Sequence, residues 1–122
     1  MPRIEKIAED FRGSSWAVLL PDGTEGVLIF TKKGVLRGGH WHNKPETSLL
    51  LSGRMKYWKM ERGKETEFVQ EAGDVLHNEP GEPHLALSLE DGWLFDWRVG
   101  AKKGETVTTN YTPYRKRVEG QR

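Results

Sequence analysis

Turn signals cut this chain into pieces too short for long helices. Pro21-Asp22-Gly23, Arg62-Gly63, Gly73-Asp74, Pro80-Gly81 and Asp91-Gly92 are all combinations that set tight reversals, because proline presets φ, glycine tolerates positive φ and aspartate caps its own turn. Between them lie short runs rich in β-branched and aromatic residues: Ser15–Leu20, Glu25–Thr31, Met55–Met60, Glu67–Gln70, His84–Leu89 and Trp93–Val99. Short strands at regular spacing, each closed by a turn, predict an all-β sandwich or barrel. The first pair reads as a hairpin around Pro21-Asp22-Gly23. Upstream, Ile4, Ile7 and Phe11 recur at helical spacing, so residues 3–11 are expected to form a short amphipathic helix, with a lead-in strand as the rival.

Within this β pattern, Gly34–Gly53 (GVLRGGHWHNKPETSLLLSG) concentrates chemistry. His40 and His42 are separated by one residue and therefore share a face of an extended strand. Glu46 has the same parity, so its carboxylate converges on them if the strand resumes after Pro45. Neutral imidazole with carboxylate suits divalent first-row metals: iron, manganese, cobalt, nickel, copper or zinc. The interior of a small barrel holds side chains or one small ligand, which is where such a half-site has meaning.

Bulk properties exclude several classes. No cysteine is present, which removes disulfides and thiolate zinc sites and is compatible with a reducing compartment. Lysine and arginine total 19 against 18 acids, so no strong global field favours nucleic acid or an anionic membrane. The first residues lack a signal-peptide core, and no run approaches the roughly 20 apolar residues of a spanning helix. One cytoplasmic domain over residues 1–122 is expected, with a barrel core over about 15–100. The basic stretch 101–122 is expected to be a solvated tail or a segment packed on a neighbouring subunit, with a phosphate or nucleic-acid contact as the sharper alternative.

A second segment, Gly73–His84 (GDVLHNEPGEPH), places another histidine after a Pro-Gly turn. Together the two segments resemble the paired motifs of the cupin superfamily. The first motif, G-x5-H-x-H-x3-E-x6-G, is filled by Gly34, His40, His42, Glu46 and Gly53. The second, G-x5-P-x-G-x2-H-x3-N, is matched by Gly73, Gly81 and His84, while Pro80 stands one place late and Ser88 replaces the final asparagine. The 19 residues between the motifs, Arg54 to Ala72, suffice for one hairpin. The resemblance implies a double-stranded β-helix, or jelly-roll barrel, with a mononuclear divalent metal (iron, manganese, nickel, copper or zinc) on His40, His42, Glu46 and His84.

It also implies a small-molecule substrate and a homodimer, with no nucleic-acid or membrane partner. A dioxygenase is the leading reading, with isomerase and lyase open; Glu46 is a candidate base and Arg37 a candidate for holding a substrate carboxylate or phosphate. Two alternatives stand beside it. Asp10-Phe11-Arg12-Gly13 and Arg37–His42 are similar to stretches of metal-free nucleotide-sugar isomerases, and a non-catalytic binding protein would use the same barrel.

Other residues remain open at this level. His77 fits no ligand position and is expected near the pocket or on a turn. Trp41, between two ligands, faces away from them. Trp16, Trp58, Trp93 and Trp97 are expected in the core, with stacking on a sugar or aromatic substrate as the alternative. Asp96 and Arg98 share parity and are candidates to face the barrel together.

Overall fold

The computed structural model describes residues 3–102 and 106–120. Eleven strands and one helix occur among them: β1 Arg3–Asp10, β2 Gly13–Leu19, β3 Thr24–Thr31, β4 Leu36–His42, β5 Glu46–Leu50, β6 Arg54–Glu61, β7 Lys64–Glu71, β8 Val75–Asn78, β9 His84–Ser88, β10 Gly92–Lys102, β11 Thr108–Asn110 and α1 Thr112–Gly120. They form a six-stranded sheet, β1-β2-β3-β10-β5-β8, and a five-stranded sheet, β11-β4-β9-β6-β7, with every pairing antiparallel. The all-β jelly-roll expectation holds, and so does the β2–β3 hairpin, which pairs Gly13 with Thr31 through Leu19 with Glu25.

Alternation decides what each strand buries. Along β6, Met55 and Tyr57 point between the sheets, where they meet Leu50, Ala86 and Leu94. Trp58 points the other way and packs with Leu36, Leu85 and Tyr114. The barrel interior is thus one core, and the outer face of the five-stranded sheet carries a second, beneath α1.

Three sequence expectations are corrected here. Residues 3–10 form strand β1, so of the two readings the lead-in strand holds and the helix does not. The helical spacing misled because β1 carries a register shift between Lys6 and Ala8, which breaks its period of two, and because Ile4, Ile7 and Phe11 are 56%, 58% and 80% exposed and mark no buried face. The basic tail is not simply solvated: β11 pairs with β4, and Tyr114 of α1 is only 2% exposed. Its two tyrosines, Tyr111 and Tyr114, supplied an apolar anchor that the surrounding lysines and arginines concealed. Trp97 is exposed and Trp16 and Trp93 are half-buried, which leaves Trp58 as the tryptophan of the core.

Among the described residues, no helix is long and apolar enough to cross a membrane.

Candidate metal centre

Strand β4 brings His40 and His42 to the interior face, and β9 delivers His84 directly opposite His40 in the antiparallel register. Their ring centroids lie 4.5, 4.9 and 5.3 Å apart, and one nitrogen from each falls within 4.8 Å of the others. Glu46, the first residue of β5, approaches from the facing sheet: its Oε2 lies 3.1 Å from His42 Nε2 and its Oε1 3.6 Å from His84 Nε2. The Asn43–Pro45 bend that separates β4 from β5 therefore sets the carboxylate across the barrel from the histidines. The three histidines named from the sequence form one cluster, and Glu46 contacts His42 and His84 of it.

The arrangement fits a metal ion. His42 Nε2 and Glu46 Oε2 are fully buried, yet neither makes a hydrogen bond, because the 3.1 Å contact between them lacks donor–acceptor alignment. Two buried polar atoms 3.1 Å apart without an aligned hydrogen bond have the spacing of two ligands on one ion. With metal–ligand bonds of about 2.0–2.2 Å, ligands on one ion sit about 3 Å apart at right angles and about 4 Å apart when opposed, close to these spacings.

Electrostatics prepare the same set. Burial, reinforced by the neighbouring His84 and His42, drives the His40 pKa down to about 3, and burial lowers His84 as well, so both offer neutral lone pairs near pH 7. Burial pushes the Glu46 carboxyl up, but His42, the charges on His84 and His42, and Arg98 outweigh it and hold it down at about 2. His42 Nδ1 lies 2.9 Å from Thr108 Oγ1 on β11. With Nδ1–H donating to that hydroxyl, the Nε2 lone pair is the one presented to the site. Nothing in the sequence of the C-terminal segment signalled this contact.

Around the cluster lies a cavity of about 210 Å³. Arg37, Asp96 and Arg98 all line it, as does Tyr57. The position of Arg37 contradicts simple alternation, which would put it with Trp41 on the far face. A bulge at Gly38-Gly39, both at positive φ, resets the parity, so Arg37 pairs with inward-facing Ala86 while His40 pairs with inward-facing His84. Arg37 Nε donates to Thr31 Oγ1 at 3.0 Å and Nη2 to the Phe30 carbonyl at 3.1 Å.

Arg98 donates to Glu25 at 3.3 Å and lies 3.8 Å from Glu46. Burial and then the charge of Glu46 raise the Asp96 carboxyl well above the usual range, and its side chain lines the cavity wall. Tyr57, raised by burial, stays a phenol and accepts from Asn78 Nδ2 at 3.1 Å.

Other expectations fall elsewhere. His77 is exposed on β8, with Nε2 2.9 Å from Glu79, and joins neither cluster nor cavity. No tryptophan lines the cavity among the described residues, so substrate stacking on tryptophan has no basis here. The sequence reading missed Lys59, buried on β6 with Nζ donating to the His77 carbonyl, and did not place Arg12 or Tyr57 at the cavity.

Two antiparallel sheets thus close into a barrel, with a three-histidine cluster and a glutamate at its inner face. Among solved structures, oxalate decarboxylase from Bacillus subtilis, in a study of its Mn(II) centres, superposes with a TM-score of 0.73 at 22% identity, covering 97% of this chain and 34% of the other. The capsular polysaccharide assembling protein CapF from Staphylococcus aureus superposes at 0.72 and 20% identity, covering 89% and 32%. Another oxalate decarboxylase structure, at pH 4.6, gives 0.66 and 24%, covering 88% and 29%. The chain thus has the cupin fold and spans about a third of the length of these neighbours. No protein-family model matches it, nor does any curated protein.

Proposed function

We propose that this chain is a mononuclear metal-binding protein that acts on a small organic substrate, with His40, His42, Glu46 and His84 holding one divalent transition metal. The observation that carries this reading is the cluster of three histidines, with buried Glu46 3.1 Å from His42 Nε2 and 3.6 Å from His84 Nε2. The Mn(II) centres of the structurally similar oxalate decarboxylase are consistent with it. Iron, manganese, nickel, copper and zinc all suit three imidazoles and a carboxylate. When bound, such an ion supplies Lewis acidity and, for a redox metal, access to dioxygen chemistry.

This chain's own residues do the remaining work. Arg37 offers a planar fork to a substrate carboxylate or phosphate. Asp96, facing the cavity with its carboxyl held above the usual range, is placed to donate a hydrogen bond or a proton, and Glu46 is the carboxylate for the role of base. Dioxygenation is the leading reaction class, as the resemblance to the cupins implies for a redox metal on three histidines and a glutamate; isomerisation or elimination would use the same Asp96 and Glu46.

A metal-free nucleotide-sugar isomerase is the second reading, favoured by Arg12 and Arg37 both reaching the cavity. Against it, a cavity of about 210 Å³ falls below the roughly 300–1,000 Å³ that encloses larger ligands. A non-catalytic binding protein is the third. A homodimer is proposed on the open edge of β1, where Ile4 and Ile7 are exposed, and sedimentation velocity tests it.

The experiment is turnover by protein loaded with Fe(II) or Mn(II) on small carboxylic and hydroxy acids, following oxygen uptake and products together. Products with oxygen uptake establish the dioxygenase, and products without it select isomerase or lyase. Tight binding without any product makes the protein a carrier.

A further inference from the structure

Strand β6 carries a lysine where alternation calls for an apolar side chain. Met55, Tyr57 and Lys59 share its inward face and all three are buried, Lys59 at 5% exposure. Lys59 pairs in register with His84 of β9, on the same face of the five-stranded sheet, and side chains paired this way start about 5 Å apart at Cβ. Its Nζ reaches across to the six-stranded sheet and donates to the His77 carbonyl on β8. That acceptor is neutral, and no ion pair among the described residues cancels the charge, whereas Arg98, the other cation beside the cluster, contacts both Glu25 and Glu46. Burying an ammonium on one carbonyl is costly, and an apolar side chain there would continue the row at lower cost. Folding alone therefore does not call for this lysine.

We propose that Lys59 acts on the metal centre through His84, as a positioning residue whose fixed charge favours the lower oxidation state of a bound iron or manganese. Its role rests on the metal reading of His40, His42, Glu46 and His84. His84 Nδ1 lies 3.3 Å from the Glu82 carbonyl, and with Nδ1–H donating there, Nε2 is left for the ion, 3.6 Å from Glu46 Oε1. Lys59 stands outside the cavity lining and so offers a substrate no contact. What it offers is charge: burial is the main cause that lowers the His84 pKa, and Lys59 adds to it in the same direction. A positive charge that disfavours a proton on the imidazole also disfavours positive charge on a metal held by that ring, and does so more for a trivalent ion than for a divalent one. Glu46 pulls the opposite way, so Lys59 offsets part of the only formal negative charge among the four ligands.

Spectroelectrochemical titration of the iron-loaded protein, wild type against Lys59→Gln, Lys59→Met and Lys59→Arg, tests this, with the electrode supplying the electron. The two neutral variants are expected to have a lower Fe(III)/Fe(II) midpoint, the ratio of Fe(III) to Fe(II) affinity rising about tenfold, or roughly 59 mV for one electron. Lys59→Arg, which keeps the charge, is expected to hold the midpoint near the wild-type value. Lys59→Gln keeps a donor for the His77 carbonyl and so reads the charge even where Lys59→Met is destabilised. Unchanged midpoints in both neutral variants, or an equal fall in Lys59→Arg, overturn the proposal and reduce Lys59 to a tie between β6 and β8, with the metal centre still standing. Failure of both neutral variants to fold does the same. Wild-type protein that holds neither iron nor manganese refutes the metal reading itself, and the role of Lys59 with it.

Discussion

The contact between His42 Nδ1 and Thr108 Oγ1 ties the metal cluster to a residue 66 positions away, and its removal gives a sharp test. Thr108→Val is expected to weaken metal affinity about 10- to 100-fold, as loss of a hydrogen bond behind a ligand usually does, while Thr108→Ser keeps most of it. Equal affinity of the valine and serine variants in a competitive chelator titration would show that β11 merely covers the site. Acid sensitivity follows from the same residues. In the metal-free protein His40 falls from an ordinary 6.5 to about 3, so between those values the unfolded chain takes up a proton that the folded chain refuses, and stability falls as pH drops through that window. His84 acts in the same direction, and Glu46, lowered from 4.5 to about 2, adds a further loss below pH 4.5. Asp96 opposes them, because its raised pKa favours the folded state at low pH. Thermal midpoints of metal-free protein from pH 7.5 to 5 are expected to fall, and more steeply in Asp96→Asn. A flat or rising profile in both would contradict neutral, buried histidines.

Strand β4 shows what an element's pattern reveals and what it hides. His40 and His42 on one face were legible from alternation, and the match of Glu46 and His84 to a motif pair was legible as resemblance. The inward turn of Arg37 was not, because it depends on the Gly38-Gly39 bulge, and a glycine pair in a sequence does not announce on which side of a bulge the parity changes. Gly38 sits at φ +90°, and a Cβ there would approach the His84 carbonyl oxygen to 2.9 Å. Gly38→Ala is therefore expected to cost about 1–3 kcal/mol in chemical denaturation and to disturb Arg37 and His84 together. A variant of unchanged stability would mean the bulge tolerates a side chain. Residues 108–120 hid themselves differently: the basic run Arg115-Lys116-Arg117 marks the segment as a surface tail, while two tyrosines decide the packing. Tyr114→Ala removes a buried aromatic from the cluster with Leu36, Trp58 and Leu85, and a loss of about 3–5 kcal/mol is expected in urea unfolding. A loss near zero would place α1 outside the cooperative unit.

For the whole molecule, the two sheets divide the labour. The five-stranded sheet carries the three histidines and Arg37, and the six-stranded sheet faces them with Glu46, Asp96 and Arg98. Closing the barrel therefore assembles the site, with Glu46 of one sheet 3.1 Å from His42 of the other. The fold was readable from turn spacing and motifs, whereas the cavity was not, because its lining is drawn from many strands whose inward faces depend on bulges. The central claim is that one metal ion completes this junction. Elemental analysis per chain, on protein purified without chelator or a nickel column, tests it most directly. The account predicts close to one equivalent of a divalent transition metal in the wild type, falling to background in His42→Ala and His84→Ala variants that remain folded. Wild-type protein that is folded, metal-free and indifferent to added Fe(II) and Mn(II) would contradict it.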